Sequence, residues 1–267
     1  MGRLALAREQ LEKLLTGPGE VGLVVKDLET GETLAWLAER RFPAASLIKI
    51  PILVEALRQA ATNPRLMEER IAIEPTSRVA GFGILKELQS IEALTLLDLL
   101  TLMIVMSDNT ATNLCIDRLG MGAVNDGIAR LGLTATVLQR KMMDLAAREG
   151  GLDNFTSAGD MARLLELLAT ERILSPPGCR RALGILARQQ VKDRLPLLLP
   201  SDVAVAHKTG ELPGIRHDVG LLRWDTHQIV VAALTQGFPA PGVGLVGGEG
   251  SRLIATASRI VYDATCG

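Results

Sequence analysis

Ser46-Leu47-Ile48-Lys49 sets a hydroxyl and an amine three residues apart, which is one turn along a helix. A serine hydroxyl is a poor nucleophile until a base takes its proton. A lysine can be that base when burial or a neighbouring cation lowers its pKa toward neutrality. Ser107-Asp108-Asn109 adds a second hydroxyl, able to relay a proton to a departing amine, and an amide able to hold a substrate amide. Lys208-Thr209-Gly210 adds a cation and a hydroxyl suited to a substrate carboxylate, and a glycine that lets a substrate backbone approach closely. The backbone N–H of Glu211, with that of Ser46, could form an oxyanion hole. Together these are the parts of an acyl transfer through a serine ester.

Each string also has a plain structural reading. Ser46 could cap a helix with Lys49 on its surface. Ser107-Asp108-Asn109 could be a helix-ending turn that caps the next helix near Thr110. Lys208 could be a solvated strand end. The three occurring together, widely separated, weigh against those readings. So do Leu47, Ile48, Ile50, Ile52 and Leu53, which make the Ser46 helix apolar nearly all round, as in a buried helix.

The elements that must position these residues follow from periodicity. Leu4 to Leu15 has helical spacing and stops at Gly17-Pro18-Gly19. Val21 to Lys26 and Thr33 to Ala38 read as strands joined by a turn over Glu29-Thr30-Gly31-Glu32. Ser46 to Ala60 reads as a helix that tolerates Pro51 in or near its first turn. From there to about Leu198 the pattern is helical, with no convincing hairpin. Helices are expected from an opening at Thr95-Leu96-Leu97-Asp98 toward Met106, over Asn113 to Leu119, Ser157 to Ala169 and Arg180 to Gln189, with Pro176-Pro177-Gly178 as a loop. Ala204 to Lys208 returns to strand. Asp218 to Arg223 and Gln228 to Thr235 form a hairpin, and Ser251 to Tyr262 is a terminal helix. The expected architecture is α/β in the α+β sense: an antiparallel sheet built from both chain ends, flanked by terminal helices, with an inserted all-helical lobe. The lobes would be 1–43 plus 199–267 and 44–198, acting as one functional unit with the site at their junction.

Composition narrows the function classes. The 267 residues carry a net charge of −1 and are 48% hydrophobic, enough for a sizeable core. That charge offers no nucleic-acid stripe and no polybasic membrane patch. The three cysteines, Cys115, Cys179 and Cys266, show no metal spacing, and Cys115 reads as a small core residue. His207, His217 and His227 read as structural or surface residues, and Met103, Met106, Met142 and Met143 as packing. Gly242-Val243-Gly244-Leu245-Val246-Gly247 matches a dinucleotide motif, but the chain ends before the required second strand and acidic residue, so a connector is the expectation. No metal or organic cofactor is expected. The expected partner is a small-molecule substrate, with no nucleic acid or membrane, acting on a monomer. No apolar leader is visible near Met1, so the expected location is cytoplasmic, or periplasmic or secreted if a leader was removed.

Ser-x-x-Lys, Ser-Asp-Asn and Lys-Thr-Gly, as they stand here, resemble the signature of class A β-lactamases and penicillin-binding proteins. The resemblance runs from about Leu4 to Tyr262 and extends to the two-lobed layout. It implies that Ser46 is the acylated serine and Lys49 its base partner. Ser107, Asn109, Lys208 and Thr209 are implied as proton relay and substrate contacts, and Asp218 as structural. One segment departs from the family. Where class A enzymes have Arg-x-Glu-Pro-x-Leu-Asn, whose Glu and Asn hold the deacylating water, this chain has Arg140-Lys141-Met142-Met143-Asp144-Leu145-Ala146. Met142 replaces the Glu and Ala146 the Asn. Arg140 is retained, and Asn154 falls about where the family has its aspartate partner. Asp144 or Glu149 could substitute as base only on a different loop path. The expectation is a serine β-lactamase-type hydrolase with slow deacylation. The alternatives are a penicillin-binding protein-like peptidase or esterase inhibited by β-lactams, or a non-catalytic binding module.

Overall fold

The computed structural model describes residues 2–239 and 248–266. Helix α1 (Ala5–Leu14) leads into the antiparallel pair β1 (Glu20–Asp27) and β2 (Thr33–Trp36). A two-residue strand, β3 (Phe42–Pro43), precedes a 3-10 turn at Ala45–Ile48 and then α2 (Lys49–Thr62). The expected single helix from Ser46 is thus a tight turn followed by an α-helix, with Pro51 in the first α-turn, where it removes no intrahelical bond. Next come β4 (Arg70–Ala72), β5 (Ala93–Thr95), α3 (Leu96–Val105), α4 (Asn109–Leu119), α5 (Met121–Arg130), α6 (Leu145–Glu149), β6 (Phe155–Thr156), α7 (Ala158–Ala169) and α8 (Pro176–Leu186). The chain closes with β7 (Ala204–Leu212), β8 (Ile215–Trp224), β9 (His227–Gln236) and α9 (Gly248–Thr265).

The main sheet is antiparallel and five-stranded in the order β2-β1-β9-β8-β7, so both ends of the chain do build it. Both faces are covered. Leu4 at the cap of α1, with Leu11, Ile254 and Val261 of the terminal helices, packs on Leu23, Val25, Ile229 and Val231. Val24, Val230, Ala232 and Leu234 alternate with these and face the helical segment, where α7 lies against the sheet. This second core runs without a break from the sheet into α2, α3, α4 and α8 and includes Cys115.

Several sequence readings need correction. Pro176-Pro177-Gly178 is the first turn of α8, not a loop, capped by the Ser175 side chain. Prolines are suited to that turn because its N–H groups have no partners in any case. The helical segment is not purely helical: β4 pairs with β5 and β3 with β6. These ladders are two or three residues long, too short for an alternating pattern to register. Helix α5 escaped notice because Gly122, Asn125, Asp126 and Gly127 lower its intrinsic propensity. Strand β7 continues past Lys208 through the site to Leu212 and turns at Pro213-Gly214 into β8. The 242–247 glycine motif lies outside the described residues.

Candidate active site

Three backbone devices bring the sequence strings together. Ser46 sits in the tight turn ahead of α2, just after Ala45, whose φ of +47° is uncommon for a residue with a side chain. Ser107 lies between α3 and α4 at φ +54°. Backbone held in this region costs of order 1–3 kcal/mol and persists only where its surroundings impose it. Gly210 supplies the third device. A Cβ there would approach Ala45 Cβ to 3.3 Å and His217 Cβ to 3.3 Å, so the glycine lets the Ser46 turn lie close against β7. The sequence reading gave that closeness to a substrate; in the structure the protein itself uses it.

Lys49 is fully buried. Its Nζ donates to Ser107 O at 2.7 Å, to Asn109 Oδ1 at 3.0 Å and toward Ser107 Oγ at 3.2 Å. Burial lowers its pKa to about 7, against the opposing field of Asp108. Lys208 is also fully buried and reaches the same hydroxyl, with Nζ to Ser107 Oγ at 3.0 Å and to Thr209 O at 2.8 Å. Its pKa falls well below the ordinary lysine value, through burial first and then the Lys49 charge. The Ser107 hydroxyl therefore lies between two amines whose charged forms are both disfavoured. Lys49 Nζ is committed to Ser107 and Asn109 rather than to Ser46 Oγ, so its link to Ser46 has to form when substrate or water enters.

Asp108, between the two named residues of its string, does structural work that the sequence reading assigned only to the helix cap. Its Oδ1 accepts from Ala111 N at 2.9 Å, capping α4, and its Oδ2 accepts from Leu85 N at 2.8 Å. With Asn109 N donating to Phe82 O at 3.0 Å, this holds the 79–88 loop over the cleft. Gly83 in that loop has φ +117° and no room for a Cβ against Asp108. Asn109 has its amide nitrogen on Ala80 O at 3.2 Å, leaving a second N–H free of that bond.

Ser46, Asn109 and Glu211 line a cavity of about 270 Å³. A smaller recess beside it is lined by Ser46, Ser107, Thr209, Arg194 and Glu211. All eight residues singled out from the sequence (Ser46, Lys49, Ser107, Asn109, Lys208, Thr209, Gly210 and Glu211) thus converge on one cleft or its walls.

The opposite wall of the cavity is formed by Met142, Met143 and Leu145. Asn113 clamps this loop: its Oδ1 accepts from Met142 N at 2.8 Å and its Nδ2 donates to Met142 O at 3.0 Å. Met143 follows at φ +62°. Arg140 pairs with Asp153 at 2.7 Å, not with Asn154. Asn154 instead accepts from the backbone N–H of Gln139 and Arg140 and donates to Arg140 O. Asp144 caps α6 by accepting from Ala147 N at 3.0 Å, and both it and Glu149 are exposed and off the cavity wall. Ala146 is off the wall too, while Leu145 is on it.

The β-lactamase enzyme family matches this chain over residues 6–265. The chain belongs to that family. Among solved structures, a β-lactamase from Sphaerobacter thermophilus is 32% identical with a TM-score of 0.88, the match covering 98% of this chain and 97% of that one. A mutant of PBP-A, solved as an acyl-enzyme complex with penicillin G, is 31% identical with a TM-score of 0.86 over 97% and 95% of the two chains. A class A β-lactamase from Mycobacterium abscessus is 26% identical with a TM-score of 0.86 over 98% and 100%. The protein is therefore a serine hydrolase of the class A type.

Within this β-lactamase-family site, Arg194 and Asn113 were not foreseen, and the two histidines expected to be structural have specific partners. Arg194 is buried on the recess wall, and no motif marks it. Asn113 lies four residues beyond Asn109, one helical turn along α4, a spacing that could have suggested a shared face. His207 was set aside as structural, and its role is now specific: it holds Asp218 across β7 and β8 at 2.9 Å, while Asp218 also accepts from Leu195 N at 3.0 Å. His217 is buried, its pKa lowered to about 4 by that burial. It bonds Pro43 O at 2.9 Å and accepts from Thr235 N at 3.1 Å, tying the Ser46 segment to the sheet. The neutral tautomer with hydrogen on Nε2 satisfies these two contacts and leaves Nδ1 facing Arg216 O at 2.9 Å without a hydrogen between them.

Proposed function

We propose that this protein is acylated at Ser46 by β-lactams or related acyl amides and releases the acyl group slowly. Lys49, unprotonated in a large fraction near neutral pH, takes the Ser46 proton as Oγ attacks the carbonyl carbon. The oxyanion that forms is held by the backbone N–H groups of Ser46 and Glu211. As the C–N bond breaks, the departing nitrogen takes its proton from the Ser107 hydroxyl, which is refilled from Lys49. Lys208 and Thr209 contact the substrate on the side of that bond, and Asn109 holds its amide.

One observation carries the slow release: among the described residues, the cavity beside Ser46 presents no carboxylate free to act as base. Its two carboxylates, Asp153 and Glu211, are both paired with arginines, and the position expected to hold a glutamate is Met142. A thioether neither takes a proton nor orients a water for attack. The same observation, with the similarity to PBP-A, favours a second reading in which a peptide or ester is the natural substrate and β-lactams act as inhibitors. Intact-mass measurement with a penicillin tests the shared step: the whole drug mass should add to the protein, and Ser46→Ala should remove the adduct. An adduct that persists in Ser46→Ala contradicts the assignment. Steady-state nitrocefin turnover then separates the two readings.

A further inference from the structure

The acylation reading, on which this inference rests, uses only the backbone N–H of Glu211. Its side chain turns into the cleft and is 34% exposed. Oε2 accepts from Arg194 Nη2 at 2.7 Å, and Oε1 lies 3.1 Å from Arg216 Nη2. Both guanidiniums are anchored behind this contact. Arg194 reaches Ser251 Oγ at 3.3 Å and His217 O at 3.4 Å, with Asp193 at 3.6 Å. Arg216 donates to Leu212 O at 3.0 Å and Ile215 O at 2.8 Å. Two fixed guanidiniums converging on one carboxylate are a carboxylate receptor. Here its occupant is part of the protein, and Arg194 shares a recess with Ser46, Ser107 and Thr209.

We infer that the Glu211 side chain is an internal carboxylate occupying the anion site beside Ser46, which biases the cleft toward acyl donors with no carboxylate next to the reacting bond. A donor that carries one must displace Glu211 from Arg194 or lie against it as a like charge, and like-charge juxtaposition at an interface selects against a ligand. Lys208 offers little compensation, since burial disfavours its charged form. The partial exposure of Glu211 tempers the effect through solvent screening.

The test uses two arylboronic acids that differ only by a ring carboxylate. Boron accepts the Ser46 oxygen to give a tetrahedral boronate, the serine proton passing to Lys49 or solvent, so binding is reversible and needs no deacylation. The quantity read is the ratio of the two Kd values. The native protein should favour the neutral boronate, and Glu211→Gln should shift the ratio toward the carboxylate by about tenfold at low salt, less as salt rises. Any change in the shared oxyanion hole cancels in the ratio. Glu211→Asp, with its shorter reach, should shift it the same way by less, and it leaves Arg194 with a nearby anion should the amide variant fold poorly. The gain should vanish in Glu211→Gln with Arg194→Gln. An unchanged ratio in both single variants, or an equal gain in the double variant, overturns the inference. If neither boronate binds the native protein more tightly than Ser46→Ala, the acylation reading itself fails and the inference falls with it.

Discussion

The two walls of the cleft differ in what they could do to an ester. On one side Lys49, Ser107 and Lys208 form a buried, hydrogen-bonded cluster beside Ser46, with proton donors and acceptors already in contact. On the other, Met142, Met143 and Leu145 present hydrocarbon and sulfur, fixed in place by the Asn113 clamp and the Arg140–Asp153 pair. The second wall, like the first, is held by hydrogen bonds, and it presents no free carboxylate among the described residues. On the proposed reading, forming an acyl-enzyme and releasing it are served by separate parts of the structure, so one can be complete without the other.

The largest expected effect is at the nucleophile. Ser46→Ala should abolish covalent labelling by a penicillin, read by intact mass, while leaving the apolar wall unchanged. The next largest effect lies across the cleft. Met142→Glu should raise the slow turnover phase by about 10²–10⁴-fold, the usual contribution of general-base assistance. Adding Leu145→Asn should help more than adding Ala146→Asn, because Leu145 faces the cavity and Ala146 does not. Stopped-flow nitrocefin traces report both, and no gain from any of these would show that the wall is not what limits release.

With Lys49 as the base, acylation needs it unprotonated, and its pKa is lowered to about 7. The acylation rate should therefore rise with pH through about 7 and fall by roughly tenfold per unit well below it. A rate flat from pH 5 to 8 would contradict Lys49 as base. The smallest effect is on stability. Asn113→Ala strips both partners from the Met142 backbone and should cost about 1–3 kcal/mol, seen as a lower midpoint in thermal or denaturant unfolding.

What could be read from the sequence, and what could not, follows the same division. The strings around Ser46, Ser107 and Lys208 each combine reactive side chains within a few residues, so their chemistry shows locally. The sheet from both chain ends showed through strand patterns at Val21 to Lys26 and Gln228 to Thr235. Arg194 and Asn113 were not visible because their partners, Glu211 and Met142, are 17 and 29 residues away and meet them only through the fold. The Arg140 partner was misplaced by one residue, Asn154 for Asp153, since loop register is set by backbone contacts that no side-chain pattern reports. The prolines of α8 were read as breakers because a helix start and a loop share the same composition.

The central claim is that acylation is complete and deacylation is not. Mixing the native protein with excess nitrocefin in a stopped-flow instrument tests it directly. The account predicts a rapid burst of about one equivalent per protein, followed by slow turnover with acyl-enzyme as the dominant species by intact mass. Fast linear hydrolysis without a burst, and with free enzyme as the dominant species, would contradict it.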